Sequence, residues 1–365
     1  MTTRTMPARP DEDEAAPRPL PWRRMAGVTW RQHRIALAGV TVLLGVLAVW
    51  LWIAGTRVHD TYAAAAACHP VSSPGCQDLG NTFNGTWDVM GYAAIFLQLL
   101  PALIGAFAGA PVLARELETG TFRFAWTQGF ARWRWALAKL VLLAVALAAA
   151  AAAFSVLLSW CYLPYLGTGN QDLGLYGNSA LVTVFTLREV TLPAWTLAVF
   201  ATGALAGMLI RRVVPAIVAA LAVYAGLAIA AAALLRERYL APLITSGDSD
   251  VPGSAWIISQ RWTKDGRFAF AGNPPASLLD KYCTFAQSSA GKGGGLSGGG
   301  PASAGNPFAQ CLAPHGYTLW TSYQPASRFW PFQWIEGGWL LALSALLIAA
   351  TIWLVHRRAL GVVSG

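Results

Sequence analysis

Charge is what this chain lacks. Only 12% of its 365 residues are charged, 55% are hydrophobic, and mean hydropathy is +0.46. Soluble domains carry about a quarter charged residues, so the composition points to a protein of the bilayer. Histidine is scarce as well. His33, His59, His69, His315 and His356 all fall outside the long apolar runs, which leaves no intramembrane Ser/His or metal constellation. No G-x-x-x-x-G-K-[ST] phosphate loop occurs: around Gly291-Lys292, Ala286 stands where the first Gly belongs and Gly293 follows the Lys. The middles of the apolar runs hold no acids or bases, only Gln98 and scattered Ser and Thr. Ion-coupled carriers keep charged relays there. These absences argue against a nucleotide-hydrolysing chain, an intramembrane enzyme and a proton- or sodium-driven carrier. Cys68-His69 has no second ligand pair at zinc-like spacing, so neither metal nor cofactor is expected.

What is present is a set of six apolar runs. About 20 residues at 1.5 Å each cross roughly 30 Å of hydrocarbon. The candidates are residues 35–54, 89–114, 136–160, 191–210, 213–235 and 337–355. Hydrocarbon satisfies no backbone polar group, and unbroken runs of this length exclude barrel strands, so the spans are helices. The expected fold class is an all-α integral membrane protein with six transmembrane helices.

Lys and Arg placement orients them. With both termini in the cytoplasm, the inner segments hold 16 of the 26 basic residues against six of the 17 acids, a net +10 inside and −1 outside. The basic balance therefore reads as membrane orientation and not as nucleic-acid binding. Cysteine usage agrees. Cys68 and Cys76 fall in the first outer loop, Cys283 and Cys311 in the large outer segment, and Cys161 at the outer end of the third span. Extracytoplasmic compartments permit disulfides. Cys68–Cys76 and Cys283–Cys311 are the expected pairs, one of three connectivities that four cysteines allow.

The chain divides accordingly. Residues 1–21, rich in Pro and charge, read as a disordered cytoplasmic tail with no apolar signal core. Residues 22–34, WRRMAGVTWRQHR, suit an amphipathic helix in the inner interface, or equally a basic, Trp-anchored start to the first span. Residues 35–235 carry helices one to five, with a loop at 115–135. Residues 236–333 form an extracytoplasmic domain between helices five and six. In it, two β-prone runs flank Asp265-Gly266, a hairpin signal, and residues 289–306 are a Gly/Ser linker. Residues 334–365 hold helix six and a short cytoplasmic tail, with Trp330, Trp334 and Trp339 as an interfacial belt. Gly105 and Gly109, and again Gly203 and Gly207, form G-x-x-x-G pairs that let helices approach closely, although chance matches are common in a chain this rich in Gly and Ala.

The most informative stretch is RELETGTFRFAWTQGFARWRWALAK, from Arg115 to Lys139. The second span continues through RELE. Gly120 offers a left-handed helix stop, and Thr121 can cap the next helix. A short helix from Phe122 to Thr127 would then show Phe122 and Trp126 on one face, with Glu118 beside it. Such an element suits a cytosolic partner. The other reading is an interfacial loop with membrane-buried aromatics.

The run from Ala110 to Lys139 resembles the coupling region of ABC-2-type permeases, particularly those of high-GC Gram-positive bacteria. In that family an acidic residue followed by Gly-Thr sits between the second and third of six spans. WRQHR before the first span, RRVVPA between spans four and five, and QPASRFWPFQWIE before span six are similar to the same group. The resemblance implies that Glu118, Gly120 and Thr121 belong to the loop that docks onto a cytosolic ATPase subunit. Two permease copies and two ATPases would form an exporter in the plasma membrane, with hydrolysis in the partner chain and the lipid bilayer as surroundings. The long outer segment departs from the compact outer loops of simpler members. A different reading is a six-span sensor or assembly protein whose outer domain binds a ligand. Residues alone do not name a substrate.

Overall fold

The computed structural model describes residues 22–70, 73–119, 132–166, 184–247, 251, 255–283 and 307–360. Among them, six helices are long and apolar enough to cross a bilayer. Helix α1 runs unbroken over Trp22–Ala67. The surface helix expected at 22–34 is thus the first turns of α1, because nothing from Trp22 onward interrupts its hydrogen-bond ladder. Its 46 residues span about 69 Å at 1.5 Å per residue, over twice the hydrocarbon thickness.

Helix α2 covers Pro74–Leu97 and α3 covers Leu100–Thr119. The Ser73 hydroxyl accepts the Cys76 N–H, and Pro74 occupies the first helical position, a Ser-Pro start that suits both residues. The first expected outer loop is therefore mostly helix. The Cys68–Cys76 disulfide closes its tip, with Cα atoms 5.5 Å apart. The second expected span is broken at Gln98–Leu99. Pro101 lies in the first turn of α3, where it has no N–H to continue the ladder from α2. The Gln98 carbonyl at the break accepts the Tyr224 hydroxyl.

Helix α4 spans Arg132–Tyr162, α5 Thr191–Ile210 and α6 Val213–Ala230. A π turn, Ala231–Leu235, and a 3-10 turn, Arg236–Arg238, extend α6. Far ends of α1, α2 and α4 meet in an aromatic cluster. Phe83 stacks on Tyr165 at 5.2 Å, Thr86 and Tyr165 share a 2.6 Å hydrogen bond, and Tyr162 donates to the Met90 carbonyl at 2.7 Å.

Beyond α6 lies a four-stranded antiparallel sheet. Its strands are β1 (Leu243–Ser246), β2 (Trp256–Lys264), β3 (Arg267–Ala271) and β4 (Tyr317–Gln324), in spatial order β1-β4-β2-β3. Asp265 and Gly266 join β2 to β3 with φ of 49° and 79°, the paired positive values that a two-residue hairpin turn requires. The sheet is wider than the hairpin read from sequence, because the distant β4 inserts between β1 and β2. Two short helices cover one face: α7, Ala276–Tyr282, and α8, Pro307–Leu312. Trp262, Leu279, Leu312 and Leu319 are buried between them. The Cys283–Cys311 disulfide staples the two helices together, Cα to Cα 5.6 Å. Helix α9, Phe329–Leu360, completes the bundle.

Candidate functional site

Two ends of this bundle hold its polar chemistry. One carries the α3–α4 connection and the tight α5–α6 turn, with Arg115, Arg134, Lys139, Arg211 and Arg212; it is called the basic end below. The other adjoins the sheet.

The basic end is organised by the α3–α5 crossing. A Cβ on Gly105 would stand 2.7 Å from Val199 Cβ, one on Gly203 2.9 Å from the Ala110 nitrogen, and one on Gly207 2.6 Å from the Ala110 carbonyl oxygen. A Cβ on Gly109 would overlap the Phe200 carbonyl. All four glycines thus lie in one backbone-to-backbone contact, where any side chain would force the helices apart. This contact brings the last turn of α3 beside the last turn of α5.

The last turn of α3 bears Glu116 and Glu118. At about 100° per residue they point roughly 200° apart. Glu116 pairs with Lys139 on α4, whose side chain is buried and lies 4.5 Å over the Trp135 ring. Glu118 faces the other way, and its Oε2 accepts the Val213 N–H at 3.3 Å. Val213 is the first residue of α6, and its preceding residue, Arg212, supplies no side-chain cap. Arg211 takes a left-handed conformation, φ 60° and ψ 15°, which lets two residues reverse the chain between α5 and α6. Gly120, Thr121, Phe122 and Trp126, and the short helix expected from Phe122 to Thr127, lie outside the described residues. Of the residues expected at the coupling loop, only Glu118 is placed.

At the sheet end, Glu336 is fully buried. Arg236 donates to it twice, from Nε and Nη2, each at 2.8 Å. Trp195 Nε1 donates to Glu336 Oε1 at 2.9 Å, and the Tyr239 hydroxyl reaches Oε2 at 3.4 Å. Burial first, and then the Glu336 charge, push the Tyr239 phenol up to about 12, so it stays a donor. Trp339 Nε1 in turn donates to the Tyr239 oxygen at 3.0 Å, and the Arg236 guanidinium lies 4.8 Å over the Phe185 ring. One turn along, Gln333 accepts the Thr191 N–H and donates to the Phe185 carbonyl. The sheet fastens here: Gln324 donates to the Leu240 carbonyl at 2.7 Å, and Arg328 to the Ala241 carbonyl and Gln324 Oε1, both at 2.6 Å.

Sequence reasoning missed Glu116–Lys139 and the Glu336 network. A Lys one turn inside an apolar span was a usable signal, since a buried ammonium demands a carboxylate partner. For Glu336, the sixth span was read as starting at Gly337 and Arg236 as opening the outer segment, so the two charges fell outside every run.

The model of the family described as ABC-2 membrane transporter related matches residues 41–236, more than half of the chain. The chain belongs to that family. The matched residues run from α1 through Arg236 at the end of α6. They include the glycine crossing, both α3 carboxylates and the Arg211 turn, whereas the sheet and α9 lie beyond them. No curated protein and no solved structure matches the chain. Family membership and six apolar helices together fit a multi-pass ABC-2 membrane permease.

Proposed function

We propose that this chain is the membrane-spanning permease subunit of an ATP-driven exporter. It works as one of two permease copies in the plasma membrane, and a separate cytosolic ATPase docks at the basic end. Both termini are then cytoplasmic, and the sheet is extracytoplasmic. The observation that carries the reading is the basic-end junction. The segment 120–131 connects two helices whose ends are tied to each other by Glu116–Lys139 and to α6 by Glu118–Val213. A displacement of that segment has a packed route into three spans. The positive-inside distribution supports the same orientation. Substrate would pass between or along the permease copies.

Co-purification with an ABC ATPase subunit, sought first in a reading frame with a phosphate loop adjoining this one, tests the reading. Gly120→Val puts a Cβ on the residue expected to take a left-handed cap, and Phe122→Ala removes a candidate docking aromatic. Both should keep wild-type membrane abundance and lose most ATPase recovery or the stimulation of hydrolysis. Phe268, exposed on β3, is the control: Phe268→Ala should spare both. Wild-type ATPase binding and coupled hydrolysis in both loop variants would reject the docking role of 120–131.

A further inference from the structure

The two α3 carboxylates lie in the last described turn of α3, and each has a partner outside its own helix. Glu116 has Lys139. Glu118 has the N-terminus of α6, which needs it: the first N–H groups of a helix lack intrahelical partners, and α6 begins without a side-chain cap of its own. The placement is favourable for both ends, since a carboxylate at a helix N-terminus gains from the cap bond and the dipole alike.

From this geometry we infer that Glu118 is a positioning residue that links the end of α3 to the α5–α6 turn by capping α6 at Val213, and does not itself dock the ATPase. It is the intramolecular route by which motion of segment 120–131 reaches the fifth span. The inference rests on the permease reading above, and it gives Glu118 a different job from that implied by the family resemblance. The α5–α6 turn is suited to receive such a signal. It is only Arg211 and Arg212 long, and Arg211 holds a left-handed conformation uncommon for a residue with a side chain. A short, tightly specified turn follows its anchor instead of absorbing a shift.

The donor can be deleted without touching the carboxylate. Val213→Pro removes the N–H and exchanges the isopropyl group for the pyrrolidine ring. Proline is favoured at the first helical position, and Arg212 at φ −132° and ψ 134° already has the extended geometry that a residue before proline prefers. Glu118→Gln keeps an acceptor oxygen and loses the charge, so it separates capping from charge pairing with a partner.

Amide hydrogen exchange on the full chain in nanodiscs reads the cap directly. Glu118→Ala should raise exchange in the first turn of α6 roughly fivefold, the size of a typical lost cap, and Glu118→Gln, which keeps the acceptor and loses only the charge–dipole part, should raise it less. In the complex with its ATPase, trapping the nucleotide state with vanadate should change exchange at the amides of residues 214, 216 and 217 in the wild-type chain. Glu118→Ala and Val213→Pro should each lose at least half of that response while still binding the ATPase, and the double variant should be no worse than either single one. A full response in Val213→Pro, losses that add in the double variant, or a wild-type complex without any response would overturn the inference. So would loss of ATPase binding in Glu118→Ala and Glu118→Gln but not in Val213→Pro, which would return Glu118 to the docking surface and leave the proposed function standing. If the wild-type chain fails to bind the ATPase at all, the proposed function fails, and unchanged exchange in Glu118→Ala alone still decides against the cap.

Discussion

Replacing Glu336 should be among the most damaging single changes in the protein. Its carboxylate is fully buried and accepts two bonds from Arg236 and one from Trp195, with Tyr239 at the edge of reach. In Glu336→Ala the Arg236 guanidinium, itself 7% exposed, would face an apolar bundle without a counter-charge. Breaking one side of a buried pair costs about 3–5 kcal/mol, because the remaining charge stays desolvated. The Phe185 ring beneath Arg236 offsets none of this, because that cation–π contact already exists in the intact pair. Replacing both partners by apolar residues of similar volume removes the cost along with the attraction. Arg236→Met with Glu336→Met should therefore be closer to wild type than either single change, leaving mainly the orphaned Trp195 N–H, about 1–3 kcal/mol. The assay is thermal unfolding of detergent-purified protein followed by fluorescence-detected size exclusion. A fall of roughly 10 °C is expected for each single variant from these energies and the usual Tm response, with at least half recovered in the double. A single variant with wild-type Tm, or a double variant as unstable as the two losses added, would refute the argument that the pair is mutually dependent.

Gly207→Val should lower Tm and membrane abundance, because its Cβ would stand 2.6 Å from the Ala110 carbonyl oxygen and overpacking costs about 1–3 kcal/mol; Gly226→Val, with nothing within 4 Å of its Cβ position, is the control that should change neither. Non-reducing peptide mapping of protein taken from its membrane should recover Cys68–Cys76 and Cys283–Cys311 as linked pairs. Losing Cys283–Cys311 should cost the sheet roughly 2–4 kcal/mol, seen as faster proteolysis around β2–β3 while the helices stay protected; free thiols at all four positions would contradict this. For orientation, an impermeant thiol reagent on intact cells should label a single cysteine placed at Ser249 and not one at Ala131. Labelling of Ala131 would invert the proposed topology.

The six spans were legible because hydropathy is a sum over about 20 residues and tolerates local error. Their limits were not, for reasons that differ by helix. At α1 and α2 the polar residues between 55 and 88 looked like a loop, yet Ser73 and Pro74 restart a helix there, and Tyr62 and Trp87 pack against the buried Phe83 and Tyr165 where α1, α2 and the end of α4 meet. Apolar content said nothing of a helix that continues past the hydrocarbon. At α3, Pro101 was visible, but an apolar window counts a proline as neutral and does not register the missing N–H. The two G-x-x-x-G spacings could be read on each helix separately. That they face one another is a property of the pair, invisible to any single-helix argument. Strand β4 was missed because its partners β1 and β2 lie more than 50 residues away in sequence. A hairpin advertises its turn, whereas a long-range insertion advertises nothing. Within the candidate site, Glu118 was legible as unusual and was assigned outward, toward another protein. The structure adds a bond the sequence did not signal, from the Val213 N–H to the Glu118 Oε2, since every residue except proline has a backbone N–H.

These particulars make α6 distinct from the other spans. It is fastened at both ends by carboxylates that belong to other helices: Glu118 of α3 at Val213, and Glu336 of α9 through Arg236. Between them, eight of its 18 residues are exposed and Ala216 and Ala220 are buried, while Tyr224 packs edge-on against Trp195 and donates to the Gln98 carbonyl. Just before Arg236 the helix passes through the π turn Ala231–Leu235, a distortion that inserts an extra residue into one turn and is found mostly where function requires it. A helix pinned at its termini can tilt as a unit only if its ends follow. The sheet hangs from the chain immediately after this helix, at Leu240 and Ala241. From the capped start of α6 to the Glu336 network and the sheet the chain is one covalent path, interrupted as an α-helix by the π turn and by the 3-10 turn Arg236–Arg238.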